Sequence, residues 1–226
     1  MMTIGKCLSD IKTRRCGVIP YTLVLPKNST ESSQLWFLLA RHRLTGELGD
    51  FGGGIKKVEK TLVGGFRELQ EESRGIFSEI YRSPNDLEHC VTVIDNKADM
   101  AEIFVPVGPE WFLIVDDKFK RAISQKKGFD EMSELVWVSE ETMNKLVWGV
   151  ESLDLDFQDL ENLDRRKLLS KESEIVVYNS TPGVGVMWKR IRVFLQKSIK
   201  SRDKLYKYLK NHSLLFLATQ RTMASL

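Results

Sequence analysis

Residues 52–76 (GGGIKKVEKTLVGGFRELQEESRGI) set three glycines ahead of a dense acidic run, and no other segment packs so many acids at helical spacing behind a glycine turn. Glu68, Glu71 and Glu72 stand at i, i+3 and i+4, so a helix of about 3.6 residues per turn projects all three carboxylates from one face. Like charges at this spacing repel. The face is tolerated if it opens to solvent, or if a hard divalent cation lies among the carboxylates. Leu62, Phe66 and Leu69 recur at i, i+4 and i+7 on the other face, the stripe of a helix that packs on a core. Gly64 and Gly65 each cost about 1 kcal/mol against alanine inside a helix, and close approach of helix to sheet is the expected compensation. Gly52, Gly53 and Gly54 let a backbone carbonyl come near a ligand or metal.

The series Gly53, five residues, Glu59, seven residues, then Arg67, Glu68, Leu69, one residue, Glu71 and Glu72 resembles the signature of the Nudix hydrolases. The chain departs from that pattern after the acids, where Ser73 and Arg74 precede Gly75 and Ile76 and make the run one residue too long. The departure bears on the helix C-cap rather than on the carboxylates. The motif covers about a tenth of the chain. What the resemblance implies is an α/β/α sandwich around a mixed β-sheet, with a Nudix domain over residues 1–200 and a C-terminal helical extension over 201–226. It also implies metal ligation by Glu68, Glu71 and Glu72, with the Gly53 carbonyl in the same shell, and a Glu59–Arg67 pair that orients the helix. Two plainer readings fit the same residues: a solvated acidic face, and a binding module that keeps the fold without catalysis.

With 226 residues and 42% hydrophobic content the chain can bury a sizeable core. Its net charge of +3 is too slight to imply nucleic acid by itself. Cys7, Cys16 and Cys90 lack the spacing of zinc sites, and an odd number argues against a disulfide framework. The N-terminus has no long apolar core or small-residue cleavage site, and no run reaches the roughly 18 apolar residues of a membrane span. An intracellular, cytoplasmic protein is the expectation.

Cys16–Leu25 and Leu35–Arg41 read as a β-hairpin that delivers the chain to the glycine turn, with Arg41, His42 and Arg43 bordering the substrate or merely solvated. His89–Asp95, Ala101–Val107 and Glu110–Val115 read as further strands, and 116–127 as a basic helix. Glu131–Glu141 (EMSELVWVSEE) resembles the acid-rich loop, strand and short helix of Nudix proteins. Asp130, Glu131 and Glu134 are therefore candidates for a catalytic carboxylate outside the motif, with Glu134 placed in the catalytic set beside Arg67, Glu68, Glu71 and Glu72. Residues 150–171 have no clean period, Ile175–Tyr178 suggests a strand, and 186–199 a helix with Trp188, Ile191 and Leu195 on one face.

Hydrolysis of a diphosphate needs phosphate charge neutralised and a water activated near neutral pH, which carboxylate-held Mg²⁺, or Mn²⁺ in its place, supplies. The resemblance implies a nucleoside diphosphate derivative as substrate. The DFGGG opening, the EES ending and the long C-terminal extension look like Nudix proteins of large DNA viruses, among which mRNA decapping is known. Basic segments 118–127 and 189–210 would suit a capped RNA chain, and equally the crowded phosphates of a diphosphoinositol polyphosphate. A small-nucleotide pyrophosphatase needs no such segments.

Overall fold

The computed structural model describes residues 2–3, 11–24, 33–95, 97, 99–126, 130–148, 187–199 and 201–224. Its strands are β1 (Met2–Thr3), β2 (Arg15–Val24), β3 (Gln34–His42), β4 (Leu48–Gly49), β5 (Phe51–Gly54), β6 (Val91–Asp95), β7 (Met100–Pro106) and β8 (Met132–Ser139). Among the described residues the α-helices, in the same order, are α1 (Thr61–Glu72), α2 (Trp111–Ser124), α3 (Glu140–Trp148), α4 (Lys189–Ser198) and α5 (Arg202–Ala224). The sheet runs β1-β6-β7-β2-β3-β4, with β5 added to β2 and β8 to β3. It is mixed, because β2 and β7 pair in parallel while the other ladders are antiparallel.

Period-two alternation divides the apolar side chains between two cores. On β2, Cys16 and Val18 enter the first core, whereas Ile19, Tyr21 and Leu23 enter the second. On β3, Leu38 and Ala40 face the first and Leu35, Phe37 and Leu39 the second. Helices α1 and α2 close the first core through Leu62, Leu69, Trp111, Val115 and Phe119. Helices α3, α4 and α5 close the second through Met143, Leu146, Ile191, Phe194, Leu205 and Leu209. The result is the expected α/β/α sandwich, with the first half of α5 packed on the sheet. Tyr21 and His212 tie that helix to β2, with 3.0 Å between the hydroxyl and Nδ1.

The glycines of α1 carry out the compensation expected of them. A Cβ on Gly65 would lie 2.8 Å from Cys16 Sγ and 3.3 Å from Ile103 Cδ1, so the helix rests directly on β2 and β7. The start of α1 is pinned by Thr61, whose hydroxyl accepts from the Thr13 amide at 2.9 Å and donates to the Ile11 carbonyl at 2.8 Å. At its far end the extra residue is absorbed by two left-handed residues, Arg74 (φ 59°) and Gly75 (φ 76°). The Gly75 amide then donates back to the Gln70 carbonyl at 2.8 Å, closing the last turn.

Glu110–Val115 is not a strand. It opens α2, which starts at Trp111. The β-prone run WFLIV is overridden because Trp111, Val115, Phe119 and Ala122 recur at helical spacing and all four are buried in the first core. The hairpin, β6, β7, and the strand and helix after Glu131 form as expected, within a residue or two at their ends. The readings made for 150–171, Ile175–Tyr178 and Cys7 lie outside the described residues.

Candidate active site

The site is built where β2 forks. Its first residues pair with β5, in the register Arg15 with Gly54, Cys16 with Gly53 and Gly17 with Gly52, while its later residues pair with β3. Helix α1 crosses this fork with its acidic face toward the glycines. The Glu68 carboxylate lies so close against Gly53 that a Cβ there would overlap it. A side chain there would displace the Glu68 carboxylate. Glu72 bends to the neighbouring residue and accepts from the Gly52 amide at 2.8 Å.

Arg67 organises the acids. Its Nε and Nη2 donate to the two oxygens of Glu59 at 2.9 and 3.1 Å, which is the expected pair in a two-pronged form. Its Nη1 donates to Glu68 at 2.7 Å and to Glu71 at 2.9 Å, and Nη2 reaches the Gly54 carbonyl at 3.0 Å. One guanidinium therefore joins three glutamates to the glycine strand. These bonds hold the Glu59 carboxyl below its ordinary value, while burial pushes Glu68 above its own. Glu72 is 6% exposed. Burial first, and then the nearby Asp50 charge, push its carboxyl up to about 9.

Among the described residues, no group of three or more His, Cys, Asp and Glu side chains is gathered tightly enough to hold an ion. On the helix side, Arg67 takes up an oxygen each of Glu68 and Glu71. The donor chemistry nonetheless fits a hard divalent ion. The bonds to Glu68, Glu71 and Glu72 engage one oxygen of each, and all the candidate ligands, the Gly53 carbonyl included, are oxygens. Glu59 has both oxygens on Arg67.

Two cavities meet at this fork and share Arg15, Gly52 and Trp188 in their walls. The smaller, about 270 Å³, is bordered by Glu47, Asp50, Glu72, Glu131 and His42, and is acidic. The larger, about 630 Å³, is bordered by Gly52, Gly53 and Gly54, by Arg14, Lys97 and Arg190, and by Asp99 as the one acid among the described residues. Arg15 stands at the shared wall. It is buried, grips Asp50 with both guanidinium nitrogens, donates to the Gly52 carbonyl at 3.1 Å and lies 4.9 Å from the Trp188 ring centre.

The loop acids separate by partner. Glu134 is paired with Arg41, and Asp130 with Arg43 at 2.7 Å and Arg74 at 2.8 Å, whereas Glu131 borders the acidic cavity beside Glu72. Of Arg41, His42 and Arg43, only His42 borders that cavity. The basic segments also divide. Lys118 pairs with Glu79, Lys120 with Asp116 and Lys210 with Glu140, while Arg190 borders the basic cavity. Arg15, Asp50, Lys97 and a cavity-wall role for Trp188 were not singled out from the sequence. An apolar strand that carries one buried arginine, as β2 does with Arg15, was the available signal.

No protein-family model matches the sequence, and no curated protein matches it. Among solved structures, the chain is similar to a MutT/nudix family protein from Enterococcus faecalis, with 15% identity and a TM-score of 0.33 over 57% of this chain and 44% of that one. The match thus spans less than half the length of that relative. It is also similar to a mutT/nudix family protein from Listeria innocua, with 16% identity and a TM-score of 0.29 over 54% of this chain and 76% of that one. No helix among the described residues is long and apolar enough to cross a membrane.

Proposed function

We propose that this chain is a divalent-metal-dependent hydrolase of the Nudix type that cleaves a diphosphate linkage in a nucleoside diphosphate derivative, the 5′ cap of mRNA being one candidate and a diphosphoinositol polyphosphate or a small nucleotide the alternatives. The observation that carries this reading is the single Arg67 fork that binds Glu59, Glu68 and Glu71 and the Gly54 carbonyl, holding the acidic helix face against the glycine strand. A solvated acidic face needs no such anchoring.

Glu68, Glu71 and Glu72, with the Gly53 carbonyl, would hold Mg²⁺ or Mn²⁺. The bound ion supplies charge neutralisation on phosphate oxygens and a water of lowered pKa. Arg67, itself held by Glu59, would keep Glu68 and Glu71 in place from behind. Glu131, beside Glu72 on the acidic cavity, is better placed than the Arg41-bound Glu134 to accept a proton from water. The basic cavity on the other side of Gly52 offers positive charge to the substrate's phosphates.

The test is a panel with Mg²⁺ or Mn²⁺ that compares capped RNA, free cap dinucleotide, nucleoside diphosphate derivatives and inositol pyrophosphates. Turnover of a nucleoside diphosphate compound is expected to fall by orders of magnitude in the Glu71→Gln, Glu72→Gln double variant, with the fold retained. Unchanged turnover would remove the assignment. Preference for inositol pyrophosphates would replace the nucleotide with a diphosphoinositol polyphosphate.

A further inference from the structure

Trp188 precedes α4 and stands far from the glycine strand in sequence, yet it borders both cavities at Gly52. Its backbone is locked there by two elements. Its amide donates to the Leu48 carbonyl at 2.7 Å, and Met187 bridges Leu48 in parallel. Its ring is half-buried against the second core, with the Arg15 guanidinium at 4.9 Å and that of Arg190 at 6.0 Å. Arg15 is itself fixed by Asp50, so the indole is positioned from both ends before any ligand arrives.

The cavity beside this ring has an unusual charge pattern. Arg14 is tied to Asp99 at 3.0 Å, but among the described residues no ion pair engages Lys97 or Arg190. Both are exposed at the cavity's rim. An aromatic wall beside two cations that no ion pair engages among the described residues matches a ligand that carries a flat ring and phosphate together: rings stack on indole, and phosphate oxygens bond to ammonium and guanidinium groups. A bare polyphosphate has no use for the indole. An apolar ligand has none for the cations.

We infer that the basic cavity is the nucleoside subsite, with the nucleobase stacked on Trp188 and its phosphate held by Lys97 and Arg190, so that the neighbouring phosphate lies toward Gly53 and the glutamates. This deepens the nucleoside diphosphate reading above and rests on it. It assigns nucleoside recognition to the segment that leads into α4, and makes Trp188 the residue that separates nucleoside phosphates from bare phosphates. Stacking alone accepts any base, so the subsite discriminates nucleoside phosphates from bare or sugar phosphates rather than one base from another.

Binding without hydrolysis separates the two proposals. ADP, GDP, ribose 5-phosphate and inorganic pyrophosphate are titrated calorimetrically into the full chain in EDTA. Wild type should bind ADP and GDP more tightly than ribose 5-phosphate. Trp188→Leu should weaken ADP and GDP about tenfold and leave pyrophosphate unchanged, which also reports an intact fold. Trp188→Phe should stay close to wild type. The Lys97→Ala, Arg190→Ala double variant should weaken nucleotides and pyrophosphate alike and flatten their salt dependence. The subsite is overturned if Trp188→Leu binds ADP and GDP as wild type does, or loses pyrophosphate equally. Trp188-dependent nucleotide binding in a chain that hydrolyses no diphosphate would retain the subsite and remove the hydrolase reading.

Discussion

Arg15 and Asp50 face each other in a two-pronged ion pair, Nη1 to Oδ2 at 2.6 Å and Nη2 to Oδ1 at 2.7 Å, with their side chains 6% and 0% exposed. The pair joins the first residue of β2 to the residue before β5, and so sets the fork at which the glycines, Trp188 and both cavities meet. Two buried charges repay their desolvation only while both are present. Asp50→Ala should therefore cost roughly 3–5 kcal/mol, by leaving a buried guanidinium uncompensated. A denaturant-unfolding midpoint within error of wild type would show that water or Glu102 takes over the pairing.

Glu102 stands behind that pair with no exposed surface, and among the described residues no donor bonds either of its oxygens. Burial, reinforced by the Asp50 charge, drives its carboxyl well above the ordinary range, so it is held as the neutral acid. In the unfolded chain the group ionises near pH 4.3. Below that pH both states are protonated and Glu102 costs nothing. As pH rises toward the folded value, the unfolded state alone releases its proton and stability falls. Glu102→Gln, which mimics the neutral acid, should gain on wild type steadily with pH. Unfolding midpoints of the two proteins, compared from mildly acidic to mildly alkaline buffer, should diverge; parallel curves would mean that Glu102 is charged.

Arg67→Lys keeps the positive charge and loses the fork that engages Glu59, Glu68 and Glu71 together. Turnover should drop measurably at subsaturating metal, while metal affinity, followed by titration of Mn²⁺, survives. Wild-type turnover under those conditions would deny Arg67 its positioning role.

Gly65→Ala would ordinarily stabilise a helix interior by about 1 kcal/mol. Here the new methyl meets Cys16 Sγ at 2.8 Å, and overpacking of this kind costs about 1–3 kcal/mol. The single change should therefore lower the thermal midpoint. Adding Cys16→Ala removes the sulfur and should recover part of the loss, giving a coupling between the two positions. Strict additivity would mean that the helix simply lifts from the sheet.

Repeating local geometry made part of this protein readable in its sequence. Spacing at i, i+3 and i+4 is a property of the helix itself, so Glu68, Glu71 and Glu72 could be set on one face without knowing what they face. Continuous β-branched and aromatic runs likewise marked β2 and β3 as strands. Where local preference and packing compete, packing decided. WFLIV became a helix because its apolar residues had a core to meet at helical spacing. The commitment of charges far apart along the chain was decided by tertiary structure. Arg41 takes Glu134 and Glu131 is left on the cavity, because ion pairing of this kind depends on distances across strands that no spacing along the chain encodes. The same holds for Trp188 and Lys97, which reach Gly52 and Gly53 only when α4 and the β6–β7 turn close on the fork of β2.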